Sequence, residues 1–363
     1  ALTWLDSAAI YDPGELEIFL LRAEAYTEIG KHADAISQLY SAFEIADEED
    51  WTEIYSEMAD VYERWEKYDE AFTCLKAALQ LNYKNQEAIE QLWYCMDLIE
   101  VDQEVVDLIK EIIDDDPYSH AAWYGLGRAY MSLTRYESAI EAFEYAIAIN
   151  EKHDYAYRGC GEAFFRLGKY QKALDCFTEA QKVTPAGEEL YYSMGRCHDE
   201  MDNHSKARYY YRKAVYLNAY FGEAFFKLGQ SYLKENNYET ALSFCRKAYE
   251  AEESNLNYIV AMAELYDLTE NHEKAILFYK KAANEKPTFS GYWVKLSALL
   301  HEVGLHREAA EVLETGVQYC EHEPGMLYLR VAYLIMAGKR QEALVSLQSA
   351  LTCLLYTSDA ADE

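Results

Sequence analysis

The chain has 363 residues, 51% of them hydrophobic, with 64 acidic against 33 basic side chains and a formal charge of −31. So acidic a chain repels nucleic acid and anionic membrane and favours basic partners at long range. Its length exceeds what one compact core usually holds, no apolar run reaches the roughly 20 residues of a bilayer-spanning helix, and no Gly-, Ser- or Pro-rich block reads as a linker.

Taken in chain order, the apolar pattern is one unit repeated. The clearest copy runs from His120 to Glu151: Trp123, Leu126, Gly127 and Tyr130 fall at i, i+3, i+4 and i+7, then Ala139, Phe143 and Ala146 at i, i+4 and i+7. A polar turn around Thr134–Tyr136 separates the two stripes. Each stripe is too small to make a core alone, so the two helices it predicts must stack on copies of themselves. Anchors equivalent to Tyr130 recur every 34 residues from Tyr62 to Leu334, with one step of 36 back to Tyr26. Nine residues after the ten anchors stand Ala35, Ala71, Val105, Ala139, Ala173, Ala207, Ala241, Ala275, Ala309 and Ala343, and nine of these ten are alanine. Small residues also recur three before most anchors, as at Gly127, Gly161, Gly195 and Gly229, and seven after each alanine. A small residue at fixed phase is what close helix approach requires.

The pattern resembles the tetratricopeptide repeat: an aromatic at position four, Leu-Gly at seven and eight, an aromatic at eleven, Ala at twenty, Phe at twenty-four, Ala at twenty-seven and Pro at thirty-two. The resemblance implies an all-α, right-handed α-solenoid (superhelix) of about ten helix-turn-helix repeats plus a leading half repeat. Ala1, Leu5, Ala8 and Pro13 match the second helix of a repeat, so residues 1–15 are expected to open a fragment whose first helix is absent. Ten tandem units in one continuous solenoid are expected over 16–351. The unit from Gln86 is the weakest; Trp93 stands where a small residue belongs and is expected to splay the helices there. The unit from Asp154 carries nearly the whole pattern, through Pro185. Residues 352–363 have no repeat phase, and LLYTSDAADE looks like a sequencing-adapter read-through rather than native sequence.

Chemistry is sparse. The eight cysteines show no CxxC pair and no zinc-type spacing with histidine, and read as small buried thiols of a reducing, cytoplasmic compartment, with a periplasmic or exported site left open. His32, His204, His272 and His306 occupy one position in the turn between helices, filled elsewhere by Tyr68, Tyr136, Tyr170 and Tyr238, which reads as ring packing rather than catalysis or metal binding. Asp114–Asp116 read as solvated charge before Pro117. No phosphate loop, nucleophile elbow or zinc motif appears, so neither an enzyme nor a cofactor is expected.

What remains is a strip at positions two, five, nine and twelve of each first helix, three or four residues apart. In the resembled family this strip lines the concave groove that holds extended peptides. Its N-terminal part is acidic: Glu17, Glu24, Glu53, Asp60, Glu63 and Glu87. Its middle offers Tyr124, Arg128, Arg158, Tyr192, Arg196, Phe226 and Gln230, arginines for a carboxylate or phosphate and rings for apolar side chains, unless Glu162 merely neutralises the arginines. The lysine–asparagine clamp of the chaperone-binding subset is missing, which disfavours chaperone recruitment. The expected function is a non-catalytic scaffold holding a partner peptide or helix. The alternatives are a regulatory arm of a larger glycosyltransferase, kinase or peptidase, and self-association through the surface that 34 tyrosines supply.

Overall fold

The computed structural model describes residues 4–5, 14–320 and 323–359, with side chains as far as Leu351. The half repeat expected over 1–15 and the tail expected over 352–363 thus lie outside the described residues, apart from Trp4, Leu5, Gly14, Glu15 and the backbone of the last helix. Among the described residues there are twenty helices and no strand, and they fall into two compact units, Ala1–Ala186 and Gly187–Glu363.

Unit 1 is five helical hairpins: α1 (Leu16–Glu28) with α2 (His32–Phe43), α3 (Trp51–Arg64) with α4 (Tyr68–Leu81), α5 (Gln86–Cys95) with α6 (Gln103–Asp115), α7 (His120–Ser132) with α8 (Tyr136–Ile149), and α9 (Asp154–Arg166) with α10 (Tyr170–Val183). Unit 2 repeats the plan with α11 (Glu188–Glu200) and α12 (His204–Leu217), α13 (Gly222–Lys234) and α14 (Tyr238–Ala251), α15 (Leu256–Leu268) and α16 (His272–Glu285), α17 (Ser290–Glu302) and α18 (His306–Tyr319), and α19 (Pro324–Met336) and α20 (Arg340–Asp359). Within each unit a helix packs on its hairpin partner and on the next hairpin along the stack, the α-solenoid arrangement; the exception is α5 and α6, which pack on α4 and α7 but hardly on each other.

Nine of the ten hairpins, all but α5–α6, turn by the same local device. In the unit of α7 and α8, Arg135 N–H donates to Tyr130 O at 2.8 Å and Thr134 N–H to Met131 O at 3.0 Å, a Schellman closure with Thr134 at φ 57°. The equivalent residue has positive φ at Gly30, Glu66, Gly168, Asp202, Asn236, Glu270, Gly304 and Gly338. A side chain there is strained, most of all a β-branched one. Thr134→Gly is therefore expected to raise stability by up to about 1 kcal/mol, less the extra freedom glycine gives the unfolded chain; urea denaturation reads the difference. The turn histidines and tyrosines are each the first residue of a second helix, and several pack on rings: His32 on Trp65 at 5.8 Å, Tyr170 on Phe165 at 5.3 Å, His306 on His301 at 4.9 Å.

The periodic alanines are the seam between helices: Ala35, Ala71, Ala139, Ala173, Ala207, Ala241, Ala275 and Ala309 are all fully buried. The small residue of the first helix receives a side chain from the second. A Cβ built on Gly127 would lie 2.5 Å from the Phe143 ring, on Gly161 2.5 Å from Phe177, on Gly195 2.5 Å from Tyr211, and on Gly229 2.4 Å from Cys245 Sγ. Trp93 finds its room in the next hairpin, where a Cβ on Gly125 would stand 2.0 Å from the indole. In the weak unit α5 ends at Cys95, before the anchor Met96, and α5 and α6 lack the close approach of the other hairpin partners, in keeping with the splay expected of Trp93. Six of the seven described cysteines are buried, and burial pushes the Cys74 thiol up to about 11 and the Cys245 thiol up to about 12.

Candidate functional site

In unit 1 the first helices of two successive hairpins, α1 and α3, enclose a groove of about 340 Å³. Glu17, Glu24, Glu53 and Asp60 of the acidic strip line it, joined by Glu57 and Arg64, with Leu20, Leu21 and Val61 as its apolar part. Arg64 is held by Glu28, its Nη1 2.6 Å from Glu28 Oε1. The groove thus carries five carboxylates and one arginine that is already paired.

Glu63 and Glu87 do not line this groove but bear on it. Glu63 accepts a 3.3 Å hydrogen bond from Cys95 Sγ, and Glu87 adds to the negative potential at Glu57 and Asp60. Burial first, then Asp60, Glu24, Glu53 and Glu87, raise the Glu57 carboxyl above its ordinary range. Burial and Glu87 raise Asp60, against the lowering by Arg64 and by the amide of Gln91, which donates to Asp60 Oδ1. Glu57 sits four residues after Glu53 on the same helix face, a spacing that would have found it in the sequence.

A carboxyl whose folded pKa is raised binds its proton more tightly when folded, so its stabilising contribution is complete at low pH and fades as pH rises through the raised value. The stability of unit 1 should therefore increase on acidification from pH 7 into the range just above the ordinary carboxylate values of 4.5 and 3.8. The increase should be smaller in Glu57→Gln/Asp60→Asn; denaturation midpoints at pH 7 and pH 5 test both statements.

The tyrosine–arginine strip is built differently. In unit 1, Arg128 donates to Trp93 O at 2.9 Å and pairs with Asp97, with its guanidinium 5.9 Å from the Tyr124 ring centre. Arg158 pairs with Asp154 at 3.2 Å, and Glu162 takes Arg166 at 2.8 Å. Neutralisation of these two arginines thus comes from Asp97 and Asp154. In unit 2, Arg196 lies 6.0 Å from the Tyr192 ring, Tyr192 packs on Phe221 at 5.2 Å, Phe226 packs on Tyr258 at 5.0 Å, and Gln230 is half-buried.

Sequence profiles described as tetratricopeptide repeat match residues 120–153 and 154–186, and a second such profile matches 52–85 and 188–221. The chain belongs to the tetratricopeptide repeat family. Residues 234–316 of this repeat protein also match the profile of the anaphase-promoting complex, cyclosome, subunit 3. No curated protein matches it in sequence. Similar solved structures include YrrB, described as a repeat protein of this family with an unusual peptide-binding site, at 22% identity and a TM-score of 0.43 over 55% of this chain and all of that one. The Cut9–Hcn1 hetero-tetramer of the anaphase-promoting complex gives 14% identity and a TM-score of 0.48 over 90% of this chain and 63% of that one. Pseudomonas aeruginosa pilF gives 15% and 0.48 over 70% and 98%.

Proposed function

We propose that this tetratricopeptide repeat chain is a non-catalytic scaffold that takes a basic, partly apolar peptide segment of a partner protein into the groove between α1 and α3. The observation that carries this reading is the gathering of Glu17, Glu24, Glu53, Glu57 and Asp60 around one cavity, with two carboxyls held above their ordinary range. A lysine or arginine placed among them relieves that repulsion, and Leu20, Leu21 and Val61 can cover the stem of such a side chain. Arg128 and Arg158, each with a carboxylate of its own, make the middle strip the poorer site for an acidic partner. Buried, protonated thiols fit a cytoplasmic setting.

Fluorescence anisotropy with labelled peptides tests the reading. A lysine- and leucine-containing peptide should bind, and its affinity should fall as salt is raised through the range in which the Debye length shrinks from about 30 to 8 Å. A glutamate-containing peptide of the same length should not bind. Equal affinity for the two peptides would remove the groove as the site.

A further inference from the structure

In unit 2 three side chains come together at one end of two successive hairpins: Asp267 near the C-terminus of α15, His272 at the start of α16 and Glu302 at the end of α17. One ligand atom of each lies within 4.8 Å of the other two, and His272 Nδ1 is 4.0 Å from Glu302 Oε2. His272 Nδ1 is shut off from solvent and has no hydrogen-bond partner. Among the described residues no lysine or arginine forms an ion pair with Asp267 or Glu302.

The same three repeat positions occur 68 residues earlier as Asp199, His204 and Lys234. There His204 Nδ1 lies 3.0 Å from Asp199 Oδ1, and the Lys234 ammonium lies 3.8 Å from that same oxygen. One hairpin thus carries its own cation at the position where the other carries a second carboxylate. Asp267 and Glu302 also sit in the last turns of their helices, where unsatisfied carbonyls add about half a negative charge each. Lysine at that place agrees with the helix dipole; glutamate opposes it.

We propose that Asp267, His272 and Glu302 hold a divalent transition-metal ion of the zinc class. One imidazole nitrogen and two carboxylate oxygens form a ligand set that zinc accepts at roughly 2.0–2.2 Å, with water completing the shell. Tetrahedral ligands at that bond length stand about 3.3 Å apart, and rotation of the exposed Glu302 side chain closes the present gap. A nitrogen ligand speaks against calcium and magnesium, which take oxygen. The ion would clamp the α15–α16 hairpin to α17, the role that Lys234 plays in tying α13 to Asp199. The sequence reading of His272 as a packing ring missed this because two partners lie 30 residues or fewer away in different helices, with no motif spacing.

The full chain, stripped with chelator, is titrated with Zn²⁺ by calorimetry and with Co²⁺ by visible absorption. One equivalent should bind, Co²⁺ should show the strong bands of a four-coordinate site, and Mg²⁺ should not bind. Glu302→Lys copies the sister hairpin at an exposed position, so it should keep its circular dichroism and melting temperature while zinc affinity falls by about 100-fold or more. His272→Gln should lose affinity likewise. Absence of saturable zinc binding by the unsubstituted chain overturns the proposal, as does affinity unchanged in Glu302→Lys. Loss confined to His301→Gln overturns it too, since it would place the ion on His301 and His306, whose Nδ1 atoms are 3.0 Å apart.

Discussion

Phe143→Ala should cost unit 1 about 3–5 kcal/mol of stability, the largest effect expected of any single truncation here. The ring is 1% exposed and is a wedge between two hairpins. A Cβ on Gly127 of its own hairpin would lie 2.5 Å from it, and a Cβ on Gly159 of the following hairpin 2.6 Å. Glycines bring no side chain that could swing in to fill the space, and the helix backbones around them are fixed by their own hydrogen bonds, so the cavity stays open. Phe143→Leu should cost distinctly less because part of the volume is kept. Urea denaturation followed by circular dichroism reads the loss. A cost below about 1 kcal/mol for the alanine variant would show that the neighbouring hairpins settle together and that the ring is no wedge.

Reversing the charge of Glu57 and Asp60 together to lysine should weaken a basic peptide by about 100-fold or more, while leaving the fold intact. The two carboxyls are partly withdrawn from water and surrounded by Glu24, Glu53 and Glu87, so a ligand cation there meets several charges at once. Lysines at these positions replace that attraction with repulsion and pair internally with the remaining acids, which also removes strain from the free protein. The variant should therefore melt at the same temperature as the unsubstituted chain or above it. Retained affinity with a retained melting temperature would place the peptide elsewhere. Reversal of Arg128 is the useful contrast: it breaks the bond to Trp93 O and the pair with Asp97, so its effect should appear as lost stability and not as lost binding of a basic peptide.

The hairpins were legible because the alanines and anchors recur at one phase, and burial acts on phase. Gly127, Gly161, Gly195 and Gly229 were visible as small residues; that each receives the ring or thiol sixteen residues later follows from the same period. The acidic groove was legible in four of its lining residues, Glu17, Glu24, Glu53 and Asp60, because they lie on one face of the first helices. Glu57 was missed by reading too narrow a strip on that face. The carboxylates of Asp97 and Asp154 beside the arginines were not anticipated: Arg128 reaches its partner from the preceding hairpin, 31 residues away, whereas Arg158 turns back to a carboxylate four residues earlier on its own helix. The separation of α5 and α6 was legible in Trp93, whereas the place its indole finds against Gly125 was not, because Gly125 lies on a neighbouring hairpin that a single repeat's pattern does not contain.

Nine of the ten hairpins, all but α5–α6, close through a Schellman turn of their own, whose donors and acceptors belong to that hairpin. The chain can therefore be shortened by a whole period, for instance by excising residues 222–255, and every remaining alanine still meets the face it was made for. Removing one residue from within a helix rotates the rest of that helix by about 100° and turns its seam toward water, whereas the step of 36 from Tyr26 to Tyr62 is absorbed in the loop before Trp51. The reach of such a protein is therefore quantised in hairpins, while its loops are free to vary in length.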